Sequence, residues 1–202
     1  MSSGHEVEAA GERTARPPRR RDPEKTREAI IDGLLAALID GDFAPTTRAI
    51  ATRAGTSERS IFVHFADREA LLVAAVERQS ATVEACLITP DPTLPLDDRI
   101  TLAVRQSAAI FELQRSPRLP GLQESRSVPA IDARMRRTDE RIRDTLAALF
   151  APELAGDDQL LDLVDGALAW PAHHHLRDRR GLSREQTAAA IERAVRRLLA
   201  QG

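Results

Sequence analysis

The 202-residue chain is predicted to be all-α: an N-terminal three-helix helix-turn-helix unit followed by a helical bundle, about nine helices in all. Three observations carry that expectation. Apolar residues make up 42% of the chain and aromatics only 3%, with Tyr absent, so the core must be aliphatic and rich in Ala and Leu, which favour helix. Apolar side chains recur at helical spacing through most segments. Ser, Thr and Asp precede those segments, and Gly or Pro separates them, as helix starts and stops require.

Residues 1–22 are polar, contain Gly and Pro and show no hydrophobic period, so they are expected to be a disordered arm. Arg13, Arg16, Arg19, Arg20 and Arg21 make its end basic, which suits an arm lying along phosphates or in a minor groove. Pro23 suits the first position of a helix capped by Asp22. That helix should run to about Asp40, with Ile30, Leu34, Leu35 and Leu38 inward and Gly41 as its end.

The stretch TTRAIATRAGTSERSIFVHF, residues 46–65, reads as two short helices joined by a tight turn. Thr46 caps the first, and Ile50, Ala51 and Ala54 share one face. Gly55 supplies a left-handed turn, and Ser57 caps the second helix, whose inward face carries Ile61 and Phe65. Its outward face keeps Glu58, Arg59, Ser60, Val63 and His64. Small polar groups and an Arg on an exposed, capped helix are what a DNA major groove accepts. Glu58 has two readings: it favours the helix start through the dipole, or it accepts from a cytosine amino group.

Residues 69–202 form the second predicted unit, after a DNA-binding unit at 23–68. A helix begins near Asp67 and reaches about Leu87, and PDPTLPLDD then breaks the chain. Over 97–113, Ile100, Ala103, Val104, Ala108 and Phe111 form one stripe and Leu102, Ala109, Ile110 and Leu113 another, which predicts a centrally buried helix. Only a short helix fits between Ser116 and Ser127. A long one over 128–150 has a narrow stripe (Ile131, Met135, Thr138, Ile142, Leu146, Leu149) and should lie on the surface. A helix over 157–175 should be kinked or shortened at Pro171, and Ser183 should cap a last one.

At 46–72 the sequence also resembles the tetracycline-repressor (TetR) family. AGTSERSIFVHFADREALL is similar to that family's signature, with Gly41-Asp42-Phe43 and Ile50-Ala51 at the matching upstream offsets. The resemblance is specific over 24–72. Phe62 replaces the family's Tyr, removing a phenolic donor, and Arg68 replaces its Lys, keeping the charge. The resemblance implies DNA contacts from Thr46, Thr47, Arg48, Thr56, Ser57, Glu58, Arg59, Ser60, Phe62, Val63, His64 and Arg68, with His64 on a phosphate. It also implies a homodimer through the last two long helices on a near-palindromic operator. A small-molecule effector in the bundle would release a repressor from DNA by moving the fourth helix.

An apolar or amphipathic effector is expected near Phe111, Met135 and Trp170, the large side chains outside the DNA unit, with His174 as a polar handle. The alternatives are a constitutive DNA-binding dimer, or a metal protein or enzyme built on His173-His174-His175. Adjacent residues on a helix point about 100° apart, so that triplet cannot face one ion, and the expectation is no metal, no cofactor and no catalytic residue. A polar helix end, favourable for imidazoles, is the simpler account of the triplet. Net charge is −2, so any basic surface must be local. Cys86 is the single cysteine, which excludes an intrachain disulfide. No apolar run approaches the ~20 residues of a membrane span, and a cytoplasmic, nucleoid-associated protein is expected.

Overall fold

The computed structural model describes residues 22–200, so the basic arm and its five arginines lie outside the described residues. Eleven α-helices and no strand occur among the described residues. The first is α1, Pro23–Ile39, whose start is fixed by Asp22: its carboxylate accepts the Glu24 amide at 3.1 Å, and Pro23 occupies a position that needs no N–H. Then come α2 (Thr47–Arg53), α3 (Glu58–His64) and α4 (Arg68–Glu84). Ile30, Ile31 and Leu34 of α1 pack with Ile50 and Ala51 of α2, Ile61 of α3, Phe65, and Leu71 and Ala75 of α4 into one cluster. Helices α2 and α3 therefore share a core with α1 and the first half of α4.

The close crossing of α1 and α2 depends on Gly33, which sequence reasoning passed over. A Cβ there would stand 3.0 Å from the Ile50 carbonyl oxygen and 3.1 Å from the Ala54 nitrogen. Glycine costs a helix interior about 1 kcal/mol relative to Ala, and here it gives α2 room to seat.

The remainder is α5 (Leu96–Gln114), α6 (Arg118–Glu124), α7 (Pro129–Leu149), α8 (Ala151–Leu154), α9 (Asp158–Leu168), α10 (Trp170–His174) and α11 (Arg184–Leu199). Ile100 and Val104 of α5, Leu146 and Leu149 of α7, Leu161, Val164 and Leu168 of α9, and Ile191, Val195 and Leu199 of α11 make a second core. Leu168 and Val195, at 5% and 0% exposure, are thus committed within the chain. The large apolar side chain left exposed on α9 is Leu163, at 58%.

Three features differ from the sequence expectation. Helix α7 keeps an exposed outer face, as expected, but its buried face is wider than the expected stripe and takes in Arg134 and Thr145. Ile131, Met135, Thr138, Leu146 and Leu149 are buried, because α7 packs against both α4 and α9. Helix α5 is central, but its second stripe is only partly covered: Leu102 and Leu113 are half-buried and Ala109 is exposed. Instead Arg99, Gln106, Ser107 and Gln114 are buried on it. Arg99 and Gln106 are satisfied there, with the Ile88 amide donating to Gln106 Oε1 at 2.6 Å and Arg99 paired to Glu153. Finally, the helix expected over 157–175 is broken at Ala169, which is extended with ψ 159°. Pro171 lacks an N–H and its ring would collide with a carbonyl one turn back, so it sits in the first turn of a new helix. A π-helical turn, His175–Arg179, follows. This break and the single turn of α8 account for the excess over nine helices.

Candidate nucleic-acid interface and internal cavity

The Thr46 hydroxyl accepts the Ala49 amide at 3.1 Å and starts α2. The turn after α2 needs a positive φ, which Gly55 supplies at +60°. Ser57 Oγ then accepts the Ser60 amide at 3.2 Å and starts α3. Ile61 and Phe65 anchor that helix, each 4% exposed, and the Arg27 guanidinium lies 5.0 Å over the Phe65 ring.

What α3 leaves outside is unusual for a soluble surface. Phe62 and Val63 are 64% and 72% exposed, beside exposed Glu58 and Arg59 and half-buried Ser60 and His64. Thr46 and Arg48 are exposed on the α2 side, with Thr47 and Thr56 half-buried. Arg48 and Arg59 make no ion pair among the described residues, whereas Arg53 pairs with Asp40 and Arg78 with Asp32. The face thus offers two uncompensated guanidinium groups, small hydroxyls and two apolar side chains. Guanidinium groups suit phosphates and guanine edges, and apolar atoms suit thymine methyls. Arg68 has a structural duty as well: its Nη1 donates to the Pro45 carbonyl at 3.2 Å, bracing the loop before α2 against α4.

Helix α4 links this face to the bundle through α7. Val128, Ile131 and Met135 pack on Leu72, Val73 and Val76. Beside them the buried Arg134 guanidinium donates to Glu77 at 2.6 Å, Glu84 at 2.7 Å and Thr138 at 2.6 Å, and Arg141 also donates to Glu84. Burial alone would raise the Glu84 carboxyl, but hydrogen bonds from Arg134 and Thr138 and the two guanidinium charges hold it below the usual range. The sequence offered no signal for this network beyond charges on a helix assigned to the surface.

The four residues expected to converge on a ligand do not meet in one place. Phe111 and Trp170 line a cavity of about 260 Å³ bordered by α5, α6, α7, α9 and the start of α10. Met135 lines a smaller cavity of about 60 Å³ among α1, α4, α6 and α7, because its part of α7 faces α4. Gln114 and Arg118 border both. His174 lies behind Trp170, stacked on its ring at 4.5 Å, with Nδ1 2.9 Å from Asp178 Oδ2.

The residue missed in this region is His173, which is 2% exposed and stacked on Phe111 at 5.2 Å. Its Nε2 is 3.0 Å from Ser107 Oγ. The Ser107 hydroxyl donates to the Val104 carbonyl, so Nε2 is the protonated nitrogen and donates to the serine oxygen. Burial pushes the imidazole down to about 4, which leaves it neutral at pH 7. The triplet is therefore not simply a polar helix end: one member is a core group. Among the described residues no cluster of His, Cys, Asp or Glu could hold a metal ion, and no helix is long and apolar enough to cross a membrane.

Residues 30–75 match the family model described as bacterial regulatory proteins, tetR family. No curated protein sequence matches the chain. Among solved structures, a transcriptional regulator from Rhodococcus sp. Rha1 superposes with a TM-score of 0.69 at 18% identity, covering 89% of this chain and 97% of the other. A protein from Mesorhizobium loti MAFF303099 described as a TetR-family transcriptional regulator gives 0.67 at 19% identity, covering 90% and 98%. GusR of Salmonella enterica gives 0.62 at 17% identity, covering 90% and 99%. At such identities these likenesses concern the fold.

Proposed function

We propose that the chain, whose residues 30–75 match the tetR-family model, is a DNA-binding transcriptional regulator of that family and acts as a homodimeric repressor released from a near-palindromic operator by a small molecule. The observation that carries the DNA reading is the outward face of α3, where Arg59, Phe62 and Val63 are exposed and Arg59 makes no ion pair among the described residues. Arg59 reads a base edge early in the helix, and His64 and Arg68 hold phosphates. The 260 Å³ cavity supports an effector, since a constitutive binder needs none. Dimerisation uses the outer surfaces of α9 and α11, where Leu163, Gly166, Ala189 and Ala194 are exposed. Small residues there permit close helix approach.

The cavity acts on DNA through α7 and α4. A ligand that binds better when α7 is displaced drags α4 by the Arg134–Glu84 network, and α4 carries the core on which α2 and α3 sit. Only a difference in affinity between the two arrangements drives such a shift.

Arg59→Ala is expected to cost about 1–3 kcal/mol at one base position and to relax specificity there. His64→Ala is expected to weaken all sequences alike, because a phosphate carries no sequence information. Fluorescence anisotropy against a panel of operator variants checks both. An unchanged preference profile in Arg59→Ala removes Arg59 as the reader.

A further inference from the structure

The charged groups on the cavity wall do not balance. Arg118, Asp139 and Asp165 line it together with Ile110, Phe111, Ile142, Leu146, Leu168 and Trp170. Arg118 Nη2 donates to both oxygens of Asp139, at 3.0 and 2.7 Å, so those two charges cancel. Asp162, one turn before Asp165 on α9, has Arg143 at 2.7 Å. The Asp165 carboxylate makes neither a hydrogen bond nor a direct ion pair among the described residues, and the residue is half-buried. Burial holds its carboxyl above the usual carboxylate range, Asp139 and Asp162 push the same way, and Arg143 opposes them without prevailing. A cation brought beside this carboxylate relieves both its desolvation and the repulsion from its neighbours.

We propose, resting on the reading that this cavity holds the effector, that it selects small amphipathic cations, with an apolar body against the aliphatic and aromatic walls and one positive charge beside Asp165. An organic acid of the same size finds no free cation, because Arg118 is engaged, and meets Asp165 instead. The cavity lies just below the ~300–1,000 Å³ typical of drug-sized sites, which fits one ring with a short charged arm better than a fused polycycle.

Trp170 is the only tryptophan of the chain and lines the cavity, so its emission reports binding directly. The full chain is titrated with benzyltrimethylammonium, with its uncharged carbon isostere neopentylbenzene, and with 3-phenylpropionate. The ammonium is expected to bind at least about tenfold more tightly than the isostere, the size of advantage a partly buried charge contact supplies, and 3-phenylpropionate least. In Asp165→Asn the advantage of the ammonium should shrink to about twofold or less while the isostere binds as before; Asp165→Ser, a smaller uncharged replacement, should behave alike. An advantage that survives in both variants, or equal binding of the three probes to the unaltered chain, overturns the inference. If the isostere binds and releases DNA while charge gives no advantage, the effector cavity stands and the cation preference falls. If no probe of any charge alters Trp170 emission, both fall.

Discussion

Arg99→Ala is expected to destabilise the bundle by about 3–5 kcal/mol, a large part of the ~5–15 kcal/mol that holds a domain folded. Arg99 is 4% exposed at the start of α5, and its guanidinium donates four hydrogen bonds to three residues. Its Nη1 and Nη2 donate to the two oxygens of Glu153 at 2.5 Å each, Nη1 also donates to the Leu149 carbonyl at 3.0 Å, and Nε donates to the Leu94 carbonyl at 2.9 Å. One side chain thereby ties the loop before α5 to the end of α7 and to α8. Removing it strands a carboxylate and leaves two carbonyls without that donor. The cost arises from the orphaned groups rather than from any large net gain of the ion pair. Arg99→Met combined with Glu153→Leu should therefore recover much of the loss, and denaturant unfolding of the three proteins measures it.

The same pair has an acid signature. The hydrogen bonds from Arg99, working against burial, hold the Glu153 carboxyl below its ordinary value. A depressed carboxylate contributes stability that is fully present above its unfolded value and is lost as pH falls through the folded one. Glu153→Gln should therefore flatten the acid limb of the stability profile while lowering stability at neutral pH.

Gly33→Leu is expected to weaken DNA binding at least about tenfold while leaving the bundle folded, with forced overpacking costing about 1–3 kcal/mol in the DNA-facing unit. The added side chain meets backbone of α2, the Ile50 oxygen and the Ala54 nitrogen, neither of which can rotate away. Helix α2 must then lift from α1, and α3 moves with it. Gly33→Ala is the milder case, because improved helix propensity offsets the tight Cβ contact. Anisotropy with operator DNA and far-UV circular dichroism on both variants separate displacement from unfolding. Full affinity in Gly33→Leu would show that the crossing of α1 and α2 is not so constrained.

The DNA-facing unit was the most legible part because its information is local. Thr46, Gly55 and Ser57 act within a few residues of themselves, and each does in the structure what its chemistry suggested. The TetR resemblance covered the same stretch. In the bundle, local reading lost power. Pro171 announced a break, but where the chain turns depends on how α10 seats Trp170 and His173 against α5. Helix α7 looked like a surface helix because its stripe is narrow and flanked by Arg, Asp and Glu, whereas acids from α4, 50 or more residues earlier, make the burial of Arg134 and Thr138 tolerable. The ligand side chains show the same limit. Phe111, Met135 and Trp170 stood out by size, but only packing separates Met135 into a cavity shared with α1 and α4. The last two long helices show it too: Leu168 and Val195 on their apolar stripes are core, and an apolar stripe alone does not say which partner covers it.

In the proposed dimer α3 is presented twice and reads double-stranded DNA. Selection of bound sites by the full chain from a random duplex library tests it directly. The expected result is enrichment of an inverted repeat whose half-site centres lie about 10–10.5 base pairs, or a multiple of that, apart. Recovery of unenriched sequence, or of a lone half-site without its inverted mate, would contradict it.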